Sequence, residues 1–248
     1  MAEIRHLANA QTEAIIDFRV KLPDGFQAEQ FSGLQERLRA RYPNAEKRQL
    51  IMQEFGVKEN GKPLFQAPED KGLHGFWFRS EDERNIAQFR VDGFTFNRMK
   101  PYTSWEEVLK EARNLWELYV EASAPEVVTR IAVRYINHLA IPRPVPDFSR
   151  YFTAPLPVPA HLSLRLTNFL TRVVVEDQEA DVTANVAQAL ADVADPKHVT
   201  FLLDIDAYKA RDFDVGDPAM WSTFGVLREF KNRIFFGSIT EETARLFE

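Results

Sequence analysis

The chain has 248 residues, of which 45% are apolar and 27% charged, and its 20 phenylalanines against 6 tyrosines and 4 tryptophans suit a sizeable, ring-rich core. A formal charge of −6 argues against broad, sequence-independent binding to phosphate backbones, which needs clustered Lys and Arg. The absence of cysteine excludes a disulfide framework, a cysteine-ligated zinc site and thiol catalysis, and fits a reducing, cytoplasmic setting. No apolar run approaches the roughly 20 residues that cross a bilayer. The amino terminus lacks the charged start, apolar block and small-residue cleavage site of a secretory signal. A soluble, unprocessed protein with no membrane partner is expected.

Residues 12–22 alternate, with Ala14, Ile16, Phe18, Val20 and Leu22 on one side and Glu13, Asp17, Arg19 and Lys21 with Ile15 on the other. That pattern predicts a half-buried strand. Pro23-Asp24-Gly25 breaks it. Phe31, Leu34, Leu38 and Tyr42 then recur at helical spacing up to Pro43, predicting a helix of about 14 residues. Residues 47–57 read as a strand and 56–72 as a polar loop, after which 75–80 and 86–91 read as strands across a charged turn. Asp92-Gly93 lies between two β-prone runs and marks either a tight hairpin or a bulge in one long strand.

Thr103 followed by Glu106 forms a capping-box pattern. Behind it Trp105, Val108, Leu109, Ala112, Leu115, Trp116, Tyr119 and Val120 make a continuous apolar stripe, the best-specified helix of the chain. Pro125 ends it, and the β-branched alternation of 127–141 predicts a long strand. Six prolines at 142, 144, 146, 155, 157 and 159 require an extended connection. Residues 143–160 therefore divide an N-terminal lobe, 1–142, from a C-terminal lobe, 161–248, unless the whole is one continuous domain.

Beyond the prolines, 164–176, 180–190 and 198–207 read as strands, although the Ala-rich middle segment also admits a helix. A closing helix starts near Pro218, with Met220, Phe224, Leu227, Phe230, Lys231 and Ile234 in step, and a last capped turn follows in TEETARLF. The order strand, helix, several strands occurs twice, which admits an internal duplication although no residue-level repeat stands out. Short turns and few helices predict an α+β fold: a mainly antiparallel sheet with one face covered by amphipathic helices.

If the helices cover the apolar strand faces, the charged faces collect on the far side of the sheet. There lie Glu13, Asp17 and Arg19, then Gln88, Arg90 and Asp92, then Arg130, Arg134 and His138. This surface is either a solvated face with cross-strand ion pairs or a binding groove. Arg130 and Arg134 share one side of a strand about 13 Å apart and could hold carboxylates or phosphates through paired hydrogen bonds. Alternatively they pair with acids such as Asp17 and Asp92. Asn137 and Tyr135 fall on the opposite side.

Asp204 and Asp206 share a strand face ahead of Asp212, Asp214 and Asp217, carboxylates of the kind that a hard cation such as Mg²⁺ takes. Their spacing is not that of an EF-hand, and a solvated acidic turn is the alternative. No cofactor is predicted beyond that divalent cation. The five histidines show no metal-ligand spacing, and no Walker A, G-x-G-x-x-G, G-x-S-x-G or kinase pattern occurs. Trp77, Trp105, Trp116 and Trp221 read as core.

The blocks LANAQTEAIIDFRV, GFTFNRMKPYTSWEEV, RIAVRYINHLAIP, LLDID and NRIFFGSITEET resemble the signature blocks of a sporadically distributed bacterial family of proteins of about this length. The resemblance runs from near residue 7 to near 245. One departure is Gln11-Thr12, where family members tend to carry Pro-Ile before the first Glu. The family has no settled activity, so the resemblance implies identity without mechanism. Its patchy distribution implies accessory or defence-type loci. It singles out Asn97, Tyr102, Arg130, Arg134 and Asn137 as site candidates, to which Asp17 and Asp92 add on chemistry.

Two functions are compatible with these residues. The first is a non-enzymatic module binding a protein partner or a small anionic ligand through the charged sheet face. The alternative is a metal-dependent phosphoesterase or phosphate-binding enzyme using Arg130 and Arg134 with Asp92, Asp204 or Asp206. Nucleic acid is disfavoured by the charge.

Overall fold

A computed structural model of the chain describes residues 11–52, 55–57, 63–65, 69–101, 104–145, 147–154, 167–191 and 195–247. In chain order the elements are β1 (Gln11–Lys21), α1 (Leu34–Leu38), β2 (Asn44–Met52), β3 (Phe55–Val57), β4 (Pro63–Phe65), β5 (Glu69–Arg79), β6 (Asn85–Arg90) and β7 (Gly93–Met99). Then come α2 (Trp105–Ser123), β8 (Val127–Pro142), β9 (Leu170–Asp177), β10 (Val182–Leu190), β11 (His198–Phe213), α3 (Pro218–Ser238) and α4 (Glu241–Arg245). The fold is α+β. Nine strands form one sheet in the order β2-β5-β6-β7-β1-β8-β11-β10-β9, every neighbouring pair antiparallel, while β3 and β4 make a separate pair.

The alternation of β1 buries Ala14, Ile16 and Phe18 completely beneath the helices. Phe18 stacks on Trp116 of α2 with ring centroids 4.1 Å apart and meets Phe224 of α3 edge-on at 5.1 Å. Phe89, Phe94 and Tyr119 continue the ring cluster. Each buried ring contributes about 1.5–3 kcal/mol by leaving water, and favourable ring pairs add roughly 0.5–1.5 kcal/mol. The phenylalanine excess thus becomes the layer between sheet and helices.

Local signals fix both long helices. Ser104 Oγ accepts from the Glu107 amide at 3.2 Å at the start of α2, and Ala124, at φ +43°, closes its end with a bond to the Val120 carbonyl at 2.8 Å. Asp217 accepts from the Ala219 amide at 2.8 Å, with Pro218 in the first turn of α3. No helix among the described residues is long and apolar enough to cross a membrane.

The chain runs twice through the same plan. Strand, short helical turn, antiparallel strands and long helix occur from β1 to α2 and again from β8 to α3, and the sheet order β5-β6-β7-β1 is continued by β8-β11-β10-β9, its mirror in succession. The buried positions of α2 recur in α3 115 or 116 residues later: Trp105 and Met220, Val108 and Phe224, Ala112 and Leu227, Leu115 and Phe230, Trp116 and Lys231, Tyr119 and Phe235. This repeat of burial is invisible as identity, because only the apolar character of most positions is kept.

Several expectations are corrected. The helix of about 14 residues is a 3-10 turn over Ala28–Gly33 followed by only five α-helical residues; Phe31, Leu34, Leu38 and Tyr42 are buried nonetheless, so tighter winding serves the same contacts. The Ala-rich segment is strand β10, as its strand reading had it, and not the helix it also admitted. The strand expected at 47–57 is split between β2 and β3, and part of the loop expected at 56–72 belongs to β4 and β5. Asp92-Gly93 is a hairpin, with Arg90 paired to Gly93 across a two-residue turn. Gly93 is required there: at φ +152°, a Cβ would stand 1.9 Å from the Phe18 carbonyl oxygen. Helix α2 is capped by Ser104; Thr103 lies outside the described residues, as do residues 155–166, which hold the later prolines and the start of the strand expected at 164.

Candidate functional site

On the sheet face opposite α2 and α3, strand alternation brings the polar residues of eight strands together. At the centre is Asp17, 9% exposed on β1. Its Oδ1 accepts from Thr95 Oγ1 at 2.6 Å and Arg90 Nη2 at 3.2 Å; its Oδ2 accepts from Arg130 Nη1 at 3.2 Å, with Arg19 Nε 3.4 Å away. Three guanidinium groups from three strands thus converge on one carboxylate.

From this centre the network runs both ways. Arg90 Nε donates to Asp92 Oδ1 at 3.0 Å, Arg19 binds the other oxygen of Asp92, and His74 Nε2 lies 3.1 Å from Oδ1. Burial pushes the Asp92 carboxyl up, but Arg90, Arg19 and His74 together outweigh it and hold the group below its ordinary value. On the other side Arg130 Nη2 donates to Asp206 Oδ2 at 2.7 Å while its guanidinium lies 4.4 Å over the Tyr208 ring. Asn185 donates to the same Asp206 oxygen at 3.2 Å and accepts from Arg172 of β9 at 3.3 Å.

Arg134 makes a two-pronged contact with Asp204, Nε to Oδ1 at 2.8 Å and Nη2 to Oδ2 at 2.6 Å, which raises the guanidinium above its ordinary value against the opposing effect of burial. Asn97, buried on β7, donates to Glu13 at 2.5 Å and accepts from Gln88 at 2.7 Å. The centre of this surface is shielded. Arg134, Arg19 and Asp92, each 42% exposed, are its accessible ends.

The face therefore gathers Asp17, Asp92, Asn97, Arg130, Arg134, Asp204 and Asp206. Asp92, however, bonds neither Arg130 nor Arg134. Arg130 takes Asp17 and Asp206, and Arg134 takes Asp204. Asn137 is buried on the helix side, where its amide donates to the Leu203 carbonyl at 2.9 Å, and it has no place in the network. Tyr102 lies outside the described residues.

Arg90, on the charged face that alternation predicts, and Thr95, which alternation in β7 also places there, complete the shell of Asp17. His74, Asn185 and Tyr208 needed the cross-strand register. Trp77, read as core, is half-buried with Arg48 3.7 Å over its ring. Asp204 and Asp206 do share a face, with carboxylate oxygens occupied by arginines. Among the described residues no group of three or more His, Asp or Glu is placed to hold a metal ion.

A concavity of about 330 Å³ lies between β7 and the first turns of α2 and is lined by Arg41, Arg98, Lys110, Glu107 and Glu111. Glu111 there is bonded by both Arg41 and Tyr42. Compared with family models and with curated proteins, the chain matches none.

Proposed function

We propose that the protein is a non-enzymatic interaction module that meets a protein partner through the charged face of its sheet. The observation that carries this reading is the internal neutralisation around Asp17. Arg19, Arg90 and Arg130 are balanced by Asp17, Asp92 and Asp206, and Arg134 by Asp204. A phosphate arriving at Arg130 or Arg134 must displace a carboxylate already seated, whereas a partner can engage the exposed ends while the centre holds them in place. Preorganised charge of this kind favours specificity and rapid encounter more than affinity. A cytoplasmic location, which the lack of cysteine fits, and an accessory or defence-type locus, implied by the resemblance to the sporadic bacterial family, belong to the same proposal.

The test compares the proteins retained by the tagged chain with those retained by Arg134→Ala and Arg19→Ala variants, with Glu229→Ala on the exposed side of α3 as control. Loss of a specific partner with both face variants and retention by the control is expected; identical capture by all four sinks the reading. Titration with Mg²⁺, Mn²⁺ or inorganic phosphate, followed by thermal unfolding, addresses the phosphoesterase alternative. A saturable rise in midpoint that Arg130→Ala removes would transfer the site to that function.

A further inference from the structure

The sheet ends in two unlike edges. On β2 the edge carries Glu46, Lys47 and Arg48, and its register against β5 breaks between Arg48 and Gln49 and again between Gln49 and Ile51. Charge and irregularity are the devices that keep an edge from templating another strand. β9, at the opposite edge, has an unbroken ladder with β10 from Asp177 to Leu170 and contains neither proline nor lysine. Leu170, Val173 and Val174 are 75%, 53% and 59% exposed. Among the described residues no strand lies beyond it.

The direction of its backbone groups on the side away from β10 follows from one bond. The Leu190 amide donates to the Phe169 carbonyl at 3.4 Å. Because an antiparallel ladder alternates, Thr171, Val173 and Val175 direct their backbone groups toward β10, while Arg172, Val174 and Glu176 direct theirs outward. We propose that β9 pairs antiparallel with β9 of a second copy of the chain, across a twofold axis at Val174.

In that register Arg172 lies opposite Glu176 of the second copy, and the symmetry makes the ion pair twice. Val173 meets Val175 of the second copy on the helix side, where Val175 already packs against the core. Sliding by two residues sets Arg172 opposite Val174 and loses both ion pairs, so charge selects the register. The eight residues of β9 span roughly 27 Å. A seam of that length buries less than the roughly 1,200 Å² of a standard interface, so the dimer is concentration-dependent. The inference is independent of the proposed partner on the charged face.

Sedimentation equilibrium of the full chain from micromolar to about 0.5 mM, the range such a small interface occupies, is expected to show monomer and dimer in exchange. Val174→Pro removes an outward N–H and leaves the β10 ladder intact, so it abolishes the dimer without changing the circular dichroism. Arg172→Glu and Glu176→Arg each weaken association roughly tenfold, and the double variant restores it. Since the chain has no cysteine, Val174→Cys supplies a single thiol whose oxidation links the two copies, the Cα atoms of such a pair being about 5.5 Å apart. A chain that stays monomeric throughout, or a dimer that survives Val174→Pro, overturns the proposal. So does a monomer whose Val174 amide resists hydrogen exchange, which assigns the edge to another segment of the same chain.

Discussion

Asp17 receives three guanidinium groups and a hydroxyl, and its removal leaves Arg90, among the least exposed of those cations, without that partner. Asp17→Ala is expected to destabilise by about 1–3 kcal/mol, the usual cost of unpairing buried donors, because Arg90 keeps Asp92 and Arg130 keeps Asp206; Asp17→Asn costs less, since the amide oxygen still accepts. Urea unfolding measures both; a change within experimental error for Asp17→Ala would mean that the network is held by its other members. Lys231 is the opposite case, a buried ammonium 3.6 Å over the Tyr135 ring at the place where the first half has Trp116. Burial, with Arg228 nearby, pushes its pKa down to about 7. Between there and an unfolded value of about 10.4 the unfolded chain binds more protons, so this group's contribution to stability rises with pH. Lys231→Met should therefore stabilise the protein by about 1–3 kcal/mol at pH 6, and the gain should fade toward pH 10. A pH-independent difference between the two chains would refute the buried-charge account. Asp17 was readable from alternation alone, whereas the charge at 231 stands in an apolar stripe and reads there simply as one more inward position.

Among the elements, α2 and α3 announce themselves because capping and periodicity are local. Ser104→Ala and Asp217→Ala should each cost about 1 kcal/mol, measured as a fall in denaturation midpoint at constant slope. Loss of less than a few tenths would assign the helix starts to packing instead. The region after β1 shows where local reading fails. Apolar residues at helical spacing bury equally well from a 3-10 turn, so the stripe of Phe31, Leu34, Leu38 and Tyr42 specified which face is covered and not how the backbone winds. Alanine in β10 has the same ambiguity: helix propensity favours one state, but a vacant ladder position between β11 and β9 is satisfied only by a strand.

At the scale of the whole molecule, β8 joins the two runs of the chain, pairing with β1 on one side and β11 on the other. Unfolding is accordingly expected to be a single cooperative event, with tryptophan fluorescence, which reports on Trp77, Trp105 and Trp116 of the first half and Trp221 of α3, and far-ultraviolet circular dichroism tracing coincident curves. Separated transitions would mean that the halves melt independently. The sequence by itself determined the α+β class, the two long helices, the ring-rich layer and the sorting of charge to one strand face, because each depends on periodicity within a few neighbouring residues. Only the tertiary structure decided that Arg130 belongs to Asp17 and Asp206, that Arg134 belongs to Asp204, and that β9 stands at an edge. Such pairings depend on strand order and register between segments as many as 113 residues apart, and hydrophobic alternation, which is the same in every register shifted by two, carries no information about either.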